Sequence, residues 1–338
     1  MALFKPLSDI GHGLWKAQIF TSALDLKIFD FLGNGEKSED EILESCGIKN
    51  HRGRDFLNSL VAMDLLNKDP ASGKYSNSES TQMFLVQSSP DYTGLFFQFR
   101  GRVEGNDFAH LTQVLKGENV KNKLTDFNAA YDADPNTPKF FGDYMKSCIT
   151  FVSQLLPQRL DQFWKSVTTF TDIGGGTGYA TIELCKAQTH LIGTNTDLGQ
   201  CKPVYDEYTS ALDESVKSRV NFKSLDFFKE EFPKGQDVIM MGNVIHDWSD
   251  EVKFMLIKKA HDALESGKHI LIYDFLIDEK NPKNTLDNFL ISVHMQTIAT
   301  GNQFTSEEIT KYLTDAGFKD IQIVKLDYNE SAIIGTKI

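Results

Sequence analysis

The sequence predicts an α/β fold: a mostly parallel sheet with an antiparallel edge hairpin, preceded by a mainly helical domain. Three observations predict it. From Thr168 onward, short apolar and β-branched runs alternate with helical patterns. The first of these runs breaks into Gly174, Gly175, Gly176 and Gly178 and then enters a helical pattern from Thr181. Before residue 160 the apolar residues recur almost entirely at helical spacing.

At 338 residues the chain is long enough for two domains, which we place at 1–160 and 161–338. A formal net charge of −12 and the absence of a long basic cluster argue against a phosphate-backbone ligand. The start, Met1-Ala-Leu-Phe-Lys-Pro, lacks the basic and apolar regions of a signal peptide, and no apolar run approaches the roughly 20 residues of a membrane helix. Cys46, Cys148, Cys185 and Cys201 are scattered, without a CxxC pair. The expectation is a cytoplasmic protein with reduced thiols and no metal.

Taken in order, residues 8–32 read as a helix, with Ile10, Leu14, Phe20, Leu24 and Ile28 on its apolar side and Gly33 ending it. Ser38, with Glu41 three residues on, opens a short helix in capping-box fashion. Residues 51–66 form a third helix, and 67–76 is a turn-rich segment suited to a small hairpin. Three helices and a hairpin have the layout of a winged helix. DNA binding is one reading, but Asp55 and Asp64 on the candidate recognition helix and the acidic chain favour a packing or dimerisation module. Residues 81–164 are mainly helical and rich in aromatics, with a long helix over 140–156. Strands are expected at 168–173, 190–194, 220–224, 237–245, 269–277, 319–325 and 331–337, the last two at hairpin spacing.

In a doubly wound sheet, ligands sit outside the carboxyl ends of the strands. Strand one ends in the glycine turn. Strand two leads to Asp197, about 20 residues after the glycines, where an acid can accept ribose hydroxyls or simply cap a helix. Strand three leads to Asp226 and Phe227, which offer a carboxylate and an aromatic face to a purine, or a surface acid and a core ring. Strand four leads to His246-Asp-Trp-Ser-Asp250, and strand five to Asp274. Neighbouring strands lie about 4.8 Å apart, so His246 and Asp274 can meet, the carboxylate fixing the imidazole tautomer and raising its basicity. Such a pair suits a general base for a hydroxyl. The nucleotide is either NAD or S-adenosylmethionine. Asp172, ahead of the turn, suits the cationic amino group of a methionine-type tail and opposes a pyrophosphate, which favours S-adenosylmethionine.

These residues resemble the class I S-adenosylmethionine-dependent O-methyltransferases, in particular the caffeic acid/N-acetylserotonin (hydroxyindole) type. The resemblance is carried by Asp172-Ile-Gly-Gly-Gly-Thr-Gly178, Asp197, His246-Asp-Trp-Ser-Asp250 and Tyr273-Asp-Phe275, and by Ala23–Leu32 and Phe56–Leu66 in the first domain. It implies a Rossmann-like methyltransferase domain behind a winged-helix-like dimerisation domain, and a homodimer acting on a small aromatic hydroxyl compound, phenolic or indolic. By matching position, Gly174, Gly176, Asp172, Asp197, Asp226 and Phe227 would hold the cofactor, with Met145 near the pocket and Trp248 beside the adenosine. His246 would be the base and Asp274 its orienting acid. Two positions depart from the pattern. Gln303 replaces a second acid beside the histidine, and Gly242 stands where plant members carry a basic residue. N- or S-methylation, or cofactor binding without catalysis, are the alternative readings.

Overall fold

The computed structural model describes residues 3–118, 126–327 and 329–338. The chain packs as two compact units, Met1–Asn106 and Asp107–Ile338. The division falls earlier than residue 160 because helix Thr137–Arg159 packs on helix Tyr179–Ala187. Its Val152 and Leu156 are buried in the second unit's core with Trp164 and Phe170.

In the first unit, helices Gly13–Asp25, Ile28–Leu32, Glu39–Ser45 and Gly53–Ala62 precede a hairpin of β1 (Leu66–Lys68) and β2 (Tyr75–Asn77). The single helix expected over 8–32 is broken, since Lys27 takes a left-handed conformation (φ 54°) between two helices. The capping box at Ser38 and Glu41 forms as its spacing predicts. Leu24, Ile28, Phe29, Ile42, Leu57, Leu60 and Tyr75 close a separate core.

The second unit holds a sheet of β3 (Thr169–Ile173), β4 (Ile192–Asp197), β5 (Val220–Ser224), β6 (Val238–Gly242), β7 (His269–Ile277), β8 (Phe304–Thr305), β9 (Phe318–Lys325) and β10 (Glu330–Lys337). Among the described residues the order is β5-β4-β3-β6-β7-β10-β9, with the short β8 beside β7. Strands β3 to β7 pair in parallel, and β10 runs antiparallel between β7 and β9. Alternation builds a core on each face. Val238, Met240, Leu271 and Tyr273 face one side, and Ile239, Met241, Ile270 and Ile272 the other.

β8 was not expected, and two expected strands have other ends. β4 begins at Ile192 because its parallel register sets Ile192 opposite Thr169, while His190 Nε2 lies 3.0 Å from the Trp164 carbonyl. β6 stops at Gly242 although the apolar run continues, because Asn243 turns left-handed (φ 52°) and takes the chain off the sheet. Among the described residues, no helix is long and apolar enough to cross a membrane.

Gly301 lies against the segment that follows. A Cβ on it would overlap the His246 carbonyl and the Trp248 backbone nitrogen. Gly301→Ala is therefore expected to cost about 1–3 kcal/mol of stability through overpacking. A thermal melt followed by circular dichroism checks this, and an unchanged midpoint would refute the close approach.

Candidate active site

The topology reverses between β3 and β6, so the crevice at their carboxyl ends is where the site should form. After β3, the amides of Gly174 and Gly175 donate to the Thr196 carbonyl at 2.9 and 3.1 Å, locking the turn to β4. Gly176 N donates to Asp197 Oδ2 and Leu198 N to Asp197 Oδ1, both at 2.7 Å. Gly175 must be glycine, for a Cβ there would run into Asn195 Oδ1 and the Asp172 carboxylate.

Asp172 is buried and accepts from Thr181 Oγ1 at 3.2 Å. Burial pushes its carboxyl up to about 7 against that hydrogen bond, and the Asp197 charge adds to the rise. Burial also raises Asp197, against the donors Leu198 N and Gly176 N. Among the described residues, no lysine or arginine is among the groups acting on either acid. Two buried carboxyls, the charge of one acting on the other, thus have no cation acting on them among the described residues.

Past β5, Asp226 accepts from Asn128 Nδ2 at 3.0 Å and pairs with Lys229 at 2.8 Å. Burial opposes its charge, but Lys229, the Phe228 amide and Asn128 hold it below the usual carboxylate range. The rings of Phe227 and Phe228 meet Trp248 edge-on at 5.8 and 4.8 Å. Met145 is half-buried on helix Thr137–Arg159 and packs against the core of Trp164 and Phe170.

Helix Phe127–Ala133 lies in the region expected to be mainly helical, but sequence reasoning missed its contacts with these strand ends. Asn128 reaches Asp226, Asp132 accepts from Gln200 at 2.7 Å, and Phe127 lies 6.2 Å from Trp248. Tyr131 is buried, and its phenol is raised by burial and by Cys201 and Asp197. No sequence signal marks these contacts, since the residues are ordinary for an amphipathic helix.

His246 stands on the 3-10 turn Ile245–Asp247 that follows the break at Asn243. β6 and β7 run in parallel register with Gly242 opposite Tyr273, and Asn243 N donates to the Tyr273 carbonyl at 3.0 Å. Next along β7 is Asp274, fully buried, with Oδ1 2.7 Å from His246 Nδ1. The sequence-based pairing of the two is thus present in the structure. Phe275 N donates to the same oxygen at 2.8 Å.

Gln303, also fully buried, completes the group. With its amide nitrogen turned toward the neighbouring acceptors, it donates to the Phe275 carbonyl at 2.9 Å and to Asp274 Oδ1 at 3.0 Å, while its oxygen lies 3.3 Å from His246 Nδ1. Asp274 and Gln303 therefore fix a proton on Nδ1 and leave Nε2 as the basic nitrogen. Asp247 Oδ1 lies 3.4 Å from Nε2. Burial works against charge on the imidazole, but Asp274 and Asp247 outweigh it and push His246 up to about 9.

A doubly wound sheet with an acid-lined glycine turn after β3 and a buried His–Asp pair at the ends of β6 and β7 has the layout of a nucleotide-dependent group-transfer enzyme. Comparison with known proteins identifies the group. A model of the O-methyltransferase domain matches residues 110–319, and one of the O-methyltransferase dimerisation domain matches residues 8–87. The chain belongs to the class I S-adenosylmethionine-dependent O-methyltransferases with an N-terminal dimerisation domain. It is 30% identical to the tetracenomycin polyketide synthesis 8-O-methyl transferase TcmO of Streptomyces glaucescens, over 94% of this chain and 91% of that one. It is 28% identical to the 3-hydroxy-5-methyl-1-naphthoate 3-O-methyltransferase of Streptomyces sahachiroi, over 94% and 90%. Its fold matches the crystal structure of human N-acetylserotonin methyltransferase in complex with SAM, at a TM-score of 0.90 and 22% identity over 100% and 98% of the two chains. The family transfers methyl groups from S-adenosylmethionine to small aromatic, phenolic or indolic acceptors.

Asp274→Asn removes the largest influence that favours the imidazolium and leaves burial opposing it. The His246 pKa is expected to fall, as read by NMR titration of its ring resonances. A midpoint that stays put would show that Asp274 does not set it.

Proposed function

We propose that this protein is an O-methyltransferase whose general base is His246, acting on a hydroxyl of a small aromatic acceptor, phenolic or indolic, as a homodimer. The observation that carries the reading is the 2.7 Å contact between His246 Nδ1 and Asp274 Oδ1, which leaves Nε2 as the proton acceptor.

The cofactor fits the residues present. The buried, cation-free carboxyls of Asp172 and Asp197 match its amino group and ribose hydroxyls, with Gly174 and Gly176 allowing the backbone to come close. Asp226, Phe227 and Trp248 offer an acid and aromatic surfaces to the adenosine, and Met145, on helix Thr137–Arg159, completes the assignment. When bound, S-adenosylmethionine supplies an electrophilic methyl group. The protein's part is to take the acceptor's proton at His246 Nε2, while Asp274 meets the positive charge that forms and Gln303 keeps the carboxylate aimed. A phenol with an ordinary pKa near 10 gains roughly 10²–10⁴-fold from a base so positioned.

The names of the relatives support a phenolic or fused-ring acceptor, one acting on a hydroxynaphthoate and another on a polyketide. The intact His–Asp pair favours catalysis over cofactor binding alone. The dimer reading rests on the match to a dimerisation domain and on exposed apolar residues: Leu3 and Phe4 just before helix Lys5–Gly11, Leu7 and Ile10 on it, and Leu14 and Trp15 on helix Gly13–Asp25.

Calorimetry with S-adenosylmethionine, followed by a turnover screen of phenols, hydroxynaphthoates and hydroxyindoles, tests the function. His246→Gln is expected to keep cofactor affinity and lose roughly 10²–10⁴-fold in turnover; full turnover would remove His246 as the base. Because the base must be neutral, kcat/KM should rise with pH and level off above the His246 value of about 9. Bound cationic cofactor disfavours a second positive charge, so the kcat profile should level off at lower pH. Sedimentation should give a dimer, and Leu14→Glu with Trp15→Glu should shift it to monomer. A wild-type monomer at micromolar concentration would contradict the dimer.

A further inference from the structure

The base assignment leaves one question open: what holds His246 where Asp274 can reach it. The imidazole lies three residues beyond Asn243, whose left-handed backbone (φ 52°) takes the chain off the sheet. An L-residue pays for that conformation, and Asn tolerates it better than most. Asn243 is buried, and its side-chain nitrogen donates to Glu330 Oε1 at 3.0 Å. Glu330 is itself 4% exposed and opens β10 opposite Phe275, one register step from the Ser331–Asp274 pair. Its backbone is fixed at both ends: Glu330 N donates to Asp327 Oδ1 at 2.7 Å, and its carbonyl accepts from Leu326 N at 3.0 Å.

We propose that Glu330 is a positioning residue for methyl transfer: through its bond to Asn243 it pins the turn that carries His246 to Asp274. The inference rests on His246 being the base. The Glu330 carboxyl reaches this turn from the C-terminal hairpin, a direction other than that of Gln303. That carboxyl acts as a hydrogen-bonding post and not as a second charge. Burial pushes it up to about 8, the neighbouring Asp327 and Asp274 adding to the rise and Asn243 opposing it, so at neutral pH it is mainly protonated. A neutral Glu330 adds no negative charge beside Asp274, and glutamine should replace it.

The test reads the hydrogen-bonded Nδ1 proton of His246 by NMR in the protein saturated with S-adenosylhomocysteine, together with turnover of the best hydroxyaromatic acceptor from the screen. The resonance is assigned by its absence in His246→Gln. Asn243→Gly is the cleanest variant, because glycine accepts the backbone angle and only the amide is lost. Asn243→Gly and Glu330→Ala should both move the proton upfield and lower kcat about 10- to 100-fold, with cofactor affinity unchanged. Glu330→Gln should keep both within a few-fold of wild type. If Asn243→Gly leaves the resonance and kcat in place, the proposal fails. It also fails if Glu330→Gln behaves like Glu330→Ala, since charge would then be the operative property. A melt by circular dichroism identifies any variant that does not fold; Asn243→Gly decides if Glu330→Ala is lost. Full turnover in His246→Gln would overturn the base assignment instead, a result distinct from either failure above.

Discussion

A carboxylate buried as completely as Asp274 is tolerated only where donors meet it. His246 Nδ1, the Phe275 amide and the Gln303 amide all converge on its Oδ1. The geometry around the site follows from that requirement. β6 and β7 must be parallel neighbours, β6 must end early enough for Asn243 to turn, and Gly301 must leave room for the backbone of His246 and Trp248. Helix Leu286–Ile298 belongs to the same arrangement, since Ser292 Oγ accepts from Gln303 N at 3.2 Å.

The two ends of the crevice solve opposite electrostatic problems. At the glycine turn, Asp172 and Asp197 are buried with no cation acting on them among the described residues, and burial raises both. At the dyad, two carboxylates already favour charge on His246, and a third ionised acid would hold the imidazole protonated more firmly. A neutral amide at position 303 therefore makes physical sense. It bonds Asp274 without adding a negative charge beside His246.

Much of this was legible in the chain because it is written locally. The glycine turn, the spacing to Asp197, the apolar runs of β6 and β7, and the residues that end them all lie within a few positions of one another or at fixed offsets. Strand adjacency then brought His246 to Asp274 by a general rule of parallel sheets. What could not be read were contacts between elements far apart in sequence whose residues carry no signature. Asn128 on Asp226, Tyr131 near Cys201 and Asp197, and Glu330 on Asn243 are of this kind. The early end of β6 was hidden as well, because Val244 and Ile245 continue its apolar run while one left-handed residue ends the strand.

By itself the sequence determined the fold class, the family and the meeting of His246 with Asp274. Periodicity, glycine placement and motif spacing are properties of the chain that survive without coordinates. The tertiary structure decided where the helical segment before β3 belongs, how Gln303 is bonded, and which distant side chains meet the turn that carries His246. Each of those depends on burial and on hydrogen-bond geometry, which exist only once remote segments share one interior.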